Sequence, residues 1–200
     1  MLRVGFLASH GGSGMRAVLT AVEAGVLPVQ PTVLITNNSG AAALGVAAAH
    51  GVPTRHLSTS THPDPAALDR TMRDILTQHG TEVVLLSGYM KLLGPQTLDR
   101  FRGRILNPHP GLLPTFGGQG MYGDRVHMAV LAAGARMSGA TIHVVDAVYD
   151  HGPVIRCREV PVLPGDDLAS LRARVQAAEQ ALIVEVLGDF AVGRLPLPRP

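Results

Sequence analysis

The 200-residue chain is 46% apolar and only 16% charged, with 23 glycines and 15 prolines spread along its length, a profile that excludes disordered and fibrous classes. Its formal net charge is +2 and no Lys/Arg run exceeds two residues, so neither nucleic acid nor a membrane surface is an expected partner, and any anion must be recognised by local geometry. Cys157 is the lone cysteine; no intrachain disulfide is possible, a reducing, cytoplasmic compartment is expected, and the side chain reads as a small buried hydrophobe on a strand.

Leu2 to Ala8 is a short, branched apolar run that predicts a strand buried on both faces. It stops after seven residues, too short for a signal-peptide core, and no run of about 20 apolar residues follows anywhere to span a membrane. Ser9 to Gly14 is a glycine-rich turn, and Met15 to Ala24 has helical spacing closed by Gly25. Val33 to Thr36 predicts a second strand, Ala41 to His50 a helix, and Pro53 to Leu57 a third strand. Asp64-Pro65 is a helix start, because the carboxylate caps free N–H groups and proline loses nothing in the first turn; that helix should reach His79.

Glu82 to Leu86 predicts a buried strand, Pro95 a short helix, and Arg104 to Asn107 a strand that runs into the loop Pro108 to Gly123. Asp124 to Ala133 follows as a helix. Gly139 to Val145 and Val154 to Val160 are strands with only a turn between them, and Asp166-Asp167 caps a final helix to about Leu187. Alternating strands and helices imply an α/β fold: a Rossmann-like, mostly parallel sheet with helices on both faces and a mixed or antiparallel C-terminal part. Residues 1–190 are expected to form one catalytic domain, and 191–200 a frayed proline-rich tail.

Sites in such sheets lie beyond the carboxyl ends of the strands. After the first strand, Gly11-Gly12-Ser13-Gly14 offers backbone N–H groups at a helix start, a geometry for phosphate. A plain tight turn and a dinucleotide fingerprint (Gly12-Ser13-Gly14-Met15-Arg16-Ala17) are the other readings. The second strand, however, ends in Thr36-Asn37-Asn38, without the acid that a nicotinamide ribose needs.

Asn107-Pro108-His109-Pro110 puts an amide and an imidazole two residues apart, on one side of a chain that two prolines hold extended. His109 reads either as a catalytic group or as a loop histidine at the rim of the core. Asp150, beside Gly152-Pro153, is either a turn residue or a carboxylate that orients a nearby histidine such as His143. His127, His143 and His151 with Asp150 lack zinc-ligand spacing, and no metal is expected.

The segment Asn107-Pro108-His109-Pro110-Gly111-Leu112-Leu113-Pro114 resembles the signature Asn-x-His-Pro-Ser-Leu-Leu-Pro of the formyltetrahydrofolate-dependent formyltransferases. Ser9 to Gly14, Gly88-Tyr89-Met90-Lys91-Leu92-Leu93 and Asp150-His151-Gly152-Pro153-Val154-Ile155 resemble further family segments in the same order, so the likeness covers nearly the whole chain. It implies formyl transfer from the co-substrate 10-formyltetrahydrofolate to the amine of glycinamide ribonucleotide, a step of purine biosynthesis, without metal. By the same resemblance Asn107, His109 and Asp150 are catalytic. Gly12, Ser13 and Gly14 hold the ribonucleotide phosphate, with Gln176 and Glu179 near its ribose. Met90, Lys91, Leu92, Leu93, Asn107, Asp146, Ala147, Val148 and Tyr149 surround the folate.

Three departures stand out. Gly14 replaces a common Asn, Gly111 the usual Ser, and Pro65 an Arg that meets the folate tail, for which Lys91 or another basic residue is the expected substitute. The glycine-rich loop Gly117 to Gly123 is expected to act as a mobile lid. Family members that act on tRNA or hydrolyse the formylfolate carry an extra domain, which the span of this chain is expected to exclude. A nucleotide-binding module without catalysis is the non-enzymatic alternative. A monomer or weak homodimer is the expected state.

Overall fold

The computed structural model describes residues 1–197. Seven strands, β1 (Leu2–Ala8), β2 (Val29–Thr36), β3 (Thr54–His56), β4 (Val83–Leu86), β5 (Ile105–His109), β6 (Met137–Val144) and β7 (Val154–Pro161), form one sheet in the order β3-β2-β1-β4-β5-β6-β7. From β3 to β5 every pairing is parallel; β5–β6 and β6–β7 are antiparallel. The helices are α1 (Ser13–Glu23), α2 (Ala42–Ala49), α3 (Pro65–Gln78), α4 (Pro95–Arg100), α5 (Asp124–Ala132) and α6 (Leu168–Ala191). Among them none is long and apolar enough to cross a membrane.

Alternation along each strand divides the core. Val4, Phe6, Leu34, Leu85, Leu106 and Ile142 face α1, α2 and α6 in one cluster. Their neighbours Leu7, Val33, Ile35, Val84 and Ile105 face Met72 and Leu76 of α3, and Phe101, on the other side. A third cluster joins Val130 of α5, Val160 of β7 and Leu171 and Val175 of α6.

The predicted elements are all present, and the differences have physical reasons. β2 starts four residues early, at Val29, because the sheet accommodates Pro31. The β1–β2 register shifts between Val4 and Phe6, and the Thr32 hydroxyl donates to the Val4 carbonyl at 3.2 Å beside the proline that has no N–H to give. α6 runs past Gly188 to Ala191, and the chain reverses at Gly193, φ 75°. The segment after it is held down: the Arg194 N–H donates to the Asp189 carbonyl at 2.8 Å, and Leu195 and Leu197 pack on the first core cluster. Residues 198–200 of the expected tail lie outside the described residues. Of the two aspartates proposed as caps, Asp167 caps α6: its carboxylate accepts the Ser170 N–H at 2.8 Å and its own N–H donates to Ser170 Oγ at 3.0 Å, while Asp166 pairs with Arg174. Cys157 is a correction: it is exposed on β7, an edge strand, and its neighbours Arg156 and Arg158 point to the opposite face, where they pair with Glu185 and Asp189 of α6.

One buried carboxylate fixes the segment that follows β4. Gly94, ahead of α4, has no side chain to cap the helix. Asp69 of α3 does so from outside, accepting the N–H groups of Gln96 (2.8 Å) and Thr97 (3.0 Å) and the Thr97 hydroxyl (2.6 Å). A Cβ at position 94 would lie 2.2 Å from the Asp69 carboxyl carbon, so glycine is what lets the carboxylate in. Asp69→Ala should therefore cost about 2–3 kcal/mol in urea unfolding, since it strands charge-assisted donors at a helix start. A loss below about 0.5 kcal/mol would show that water replaces the cap.

Candidate active site

The carboxyl ends of β1, β4 and β5 open into a cavity of about 960 Å³, walled on the other side by residues 118–127 and by α6. At its β1 end the chain turns through Gly12 at φ 62°, ψ 47°, a left-handed conformation, and enters α1. A Cβ on Gly12 would also meet the Ala43 Cβ at 3.0 Å. The helix start is tied to β4, because the Met15 N–H donates to Ser87 Oγ at 2.9 Å. Gly12 and Ser13 line the cavity together with Arg16, and β2 nearby ends in Asn37 and Asn38 without a carboxylate. Gly14 does not line it: buried, with Ile183 Cδ1 3.0 Å and Ser87 Oγ 3.2 Å from where a Cβ would be, this glycine lets α1 sit close to α6 and β4.

The β5 end carries the titratable groups. β5 extends through His109, two residues further than expected, because it pairs with β6: Asn107 lies opposite His143 and His109 opposite Thr141. The Asn107 amide nitrogen is 3.0 Å from His143 Nε2. Since His143 Nδ1 gives its proton to the Val144 carbonyl at 3.0 Å, Nε2 is the acceptor in the neutral ring, and one Asn107 N–H is spent on it. The other remains for a ligand.

His109, 2% exposed, donates from Nε2 to the Phe116 carbonyl at 2.7 Å, which leaves Nδ1 facing Asp150 Oδ2 at 3.5 Å. Asp150 Oδ1 is 3.4 Å from His143 Nε2, and the Gly118 N–H donates to Oδ2 at 3.0 Å. Asp150 is the one non-glycine residue with positive φ among those described, at 53°.

Burial pushes the His109 imidazole below its ordinary value, outweighing Asp150 and the Phe116 carbonyl, which pull it up. Asp150 favours the protonated ring, but burial wins in this state. Asp150 itself is pushed up by burial, yet His143 and His109 when protonated, with the Gly118 N–H, bring it below the usual carboxylate range.

The other expected contacts divide. Asn107, Met90, Tyr149, Gln176 and Glu179 line the cavity; Lys91, Leu92, Leu93, Asp146, Ala147 and Val148 do not. Lys91 and Leu92 are exposed, and Leu93 packs with Tyr89 and Val145 on the second core cluster, joining the loops after β4 and β6 beneath the surface. Burial pushes the Tyr89 phenol up to about 12. Asp146 is a turn residue that accepts the Val148 N–H at 2.8 Å and faces His151 Nδ1 at 2.9 Å. His151 thus turns away from Asp150, and among the described residues no three His, Cys, Asp or Glu side chains could hold a metal ion. On α6, burial pushes the Glu179 carboxyl up to about 7. Two residues escaped the sequence reading of the site, His143 as the partner of Asn107 and His127 on the cavity wall; the register between β5 and β6 was the missing information for the first.

A family model described as formyl transferase matches residues 2–187. The chain is 41% identical to a chloroplastic phosphoribosylglycinamide formyltransferase of Vigna unguiculata, over 94% of this chain and 60% of that one, so it spans less than two thirds of the plant protein's length. It is 37% identical to the phosphoribosylglycinamide formyltransferase of Mycobacterium tuberculosis strain H37Rv, over 94% and 85% of the two chains. The crystal structure of glycinamide ribonucleotide transformylase 1 from Symbiobacterium toebii superposes with a TM-score of 0.90 at 35% identity, covering 99% of this chain and 91% of that one. With its sheet order, its strand-end Asn107 and His109 and the matched span, the chain belongs to the formyl transferase family.

Proposed function

We propose that the protein transfers the formyl group of 10-formyltetrahydrofolate to the amine of glycinamide ribonucleotide, giving formylglycinamide ribonucleotide and tetrahydrofolate in de novo purine synthesis. One observation carries the reading: the Gly12–Ser13 turn and the Asn107, His109 and Asp150 group open into the same cavity, in a chain similar over most of its length to phosphoribosylglycinamide formyltransferases. The turn suits a phosphate, and Gln176 and Glu179 on the adjoining helix suit a ribose. Met90 and Tyr149, apolar side chains 37% and 44% exposed at the cavity wall, suit the flat pterin. Lys91, exposed beside Met90 though not on the cavity wall, is the basic residue assigned to the folate tail. The single cysteine fits a cytoplasmic setting.

In this mechanism the unprotonated amine attacks the formyl carbon and the carbonyl electrons move onto the formyl oxygen. The free N–H of Asn107 donates to that oxygen. His109 Nε2–H must be released by the Phe116 carbonyl to do the same, so the oxyanion and that carbonyl compete for one proton. Desolvation disfavours the imidazolium in the resting cavity; a developing negative charge beside it acts in the opposite sense, and Asp150 stabilises it from the Nδ1 side. The proton lost by the amine goes to folate N10, the carbon–N10 bond breaks, and no covalent enzyme intermediate forms.

The reaction is tested with purified protein and 10-formyltetrahydrofolate: tetrahydrofolate should appear only when the ribonucleotide is added, and equal release without it would indicate hydrolysis. Asn107→Ala and His109→Ala should each lower kcat by about 100-fold or more while both ligands still bind. A His109→Ala enzyme that kept over half of kcat would remove His109 from the chemistry.

Asp150→Asn tests the electrostatics. The carboxylate raises the His109 pKa, so its loss lowers that pKa further, and the protonated ring disappears at lower pH as pH rises. In kcat/KM against pH the break that belongs to His109 should move to lower pH, and the break set by the substrate amine should stay. A profile in which neither break moves would return Asp150 to the role of a turn residue.

A further inference from the structure

Among the described residues the arginines that line the cavity are Arg16, Arg125 and Arg172, and two of them are already engaged. Arg172 Nη1 donates twice to the Asp124 carboxylate, both at 3.1 Å, and the Arg125 guanidinium lies 4.8 Å from the centre of the Tyr122 ring. Arg16 is uncommitted: among the described residues it enters no ion pair and its guanidinium makes no hydrogen bond. The carboxylates of the cavity do not claim it. Asp124 belongs to Arg172, Asp150 faces His109 and His143, and burial pushes the Glu179 carboxyl up with no cation offsetting it. The first turn of α1 holds no acid, and β2 nearby ends in Asn37 and Asn38.

Helix geometry fixes where this unspent charge sits. Arg16 follows Ser13 by three residues and Gly12 by four, so the three share one face of the helix start, and the Arg16 N–H donates to the Gly12 carbonyl at 2.9 Å. Helical side chains lean towards the N-terminus, over the turn before their own Cα. The guanidinium is thereby carried back over the Gly12–Ser13 turn, on the side of the cavity whose wall all three form. A phosphate ester there carries a charge of about −1.5 to −2 at pH 7 and three strong acceptor oxygens. The planar fork of arginine matches two such oxygens at once. Backbone N–H groups supply only partial charges, so a full cation beside them is what separates a dianion from a hydroxyl.

We propose that Arg16 is the specificity residue that restricts the acceptor to a phosphorylated ribonucleoside, by pairing its guanidinium with the phosphate. The assignment rests on the ribonucleotide reading above. Arg16 takes no part in formyl transfer: its contact is the same before and during the reaction, so it acts on binding and leaves the chemical step alone.

The test compares glycinamide ribonucleotide with its dephosphorylated riboside and with a folate analogue, on the wild type, Arg16→Gln and Arg16→Lys. Arg16 is exposed, so both variants should melt with the wild type. By calorimetric titration Arg16→Gln should bind the ribonucleotide about tenfold more weakly or worse, with folate affinity unchanged. In turnover KM for the ribonucleotide should rise by the same factor while kcat stays within twofold. The riboside, followed through kcat/KM for its formylation, should not distinguish Arg16→Gln from wild type. Lysine, which keeps the charge and loses the fork, should recover part of the affinity. Raising the salt concentration should weaken ribonucleotide binding more steeply in the wild type than in Arg16→Gln, because an exposed ion pair is screened.

An Arg16→Gln protein that binds the ribonucleotide within twofold of wild type overturns the proposal and leaves Arg16 a solvated surface residue. Equal losses for ribonucleotide and riboside overturn it too, since the contact would then not be to the phosphate. So does a loss confined to the folate analogue, which would give the guanidinium to a folate carboxylate. Wild-type protein that binds the ribonucleotide without formyl transfer would overturn the reaction but not this contact; no binding at all would overturn both.

Discussion

The antiparallel pairing of β5 with β6 is the constraint on which the site depends. Up to β5 the sheet is parallel, and a parallel strand would end at its hydrogen-bonded neighbour β4, which pairs only as far as Leu106. Beyond that point β6 is the strand that pairs with residues 107–109 and keeps them extended. The same pairing brings His143 to Asn107 and Thr141 to His109, and Thr141 then holds the turn that follows: its hydroxyl donates to the Gly111 carbonyl at 2.7 Å and accepts the Leu113 N–H at 3.3 Å. Gly111 has no room for a larger residue, since a Cβ there would lie 2.8 Å from Val126 and 3.2 Å from His109 Nε2. The place of the serine in the signature that this segment resembles is here filled by the approach of α5.

From that frame the electrostatics follow as a chain of commitments. Val144 takes the His143 Nδ1 proton, which makes Nε2 an acceptor, which orients the Asn107 amide. Phe116 takes the His109 Nε2 proton, which turns Nδ1 to Asp150. Each backbone carbonyl therefore selects a tautomer, and the two tautomers aim the side chains. Backbone atoms of the 116–118 segment touch both His109 and Asp150, so this glycine-rich stretch is part of the site's wiring as well as its wall.

Much of this was legible in the sequence, and the illegible remainder has a common cause. Strand and helix identities came from local periodicity and from punctuation such as Asp64-Pro65, whose cap forms as expected, with Asp64 accepting from Ala66 and Ala67 at 3.1 Å each. Asn107 and His109 were visible because a residue pair two apart on an extended chain must share a side. Pro31 misled because a local rule about a missing N–H cannot foresee that a threonine hydroxyl and a register shift on β1 absorb it. Cys157 misled because burial on an edge strand depends on what covers each face: α6 lies on the side of Arg156 and Arg158, and Cys157 points to the other. His143 and Asp69 act through partners 28 or more positions away, and no window along the chain contains such relations.

The backbone at Asp150 has a consequence for the chemistry that position can host. Left-handed φ is tolerated by aspartate and asparagine, whose short polar side chains can bond locally, and it is costly for longer or branched residues. Glutamate would preserve the carboxylate but lengthen it and lose this conformational tolerance; asparagine would preserve the fit and lose the charge. Shape and charge at this position cannot be traded separately, because one torsion angle narrows the acceptable acids to a single side chain.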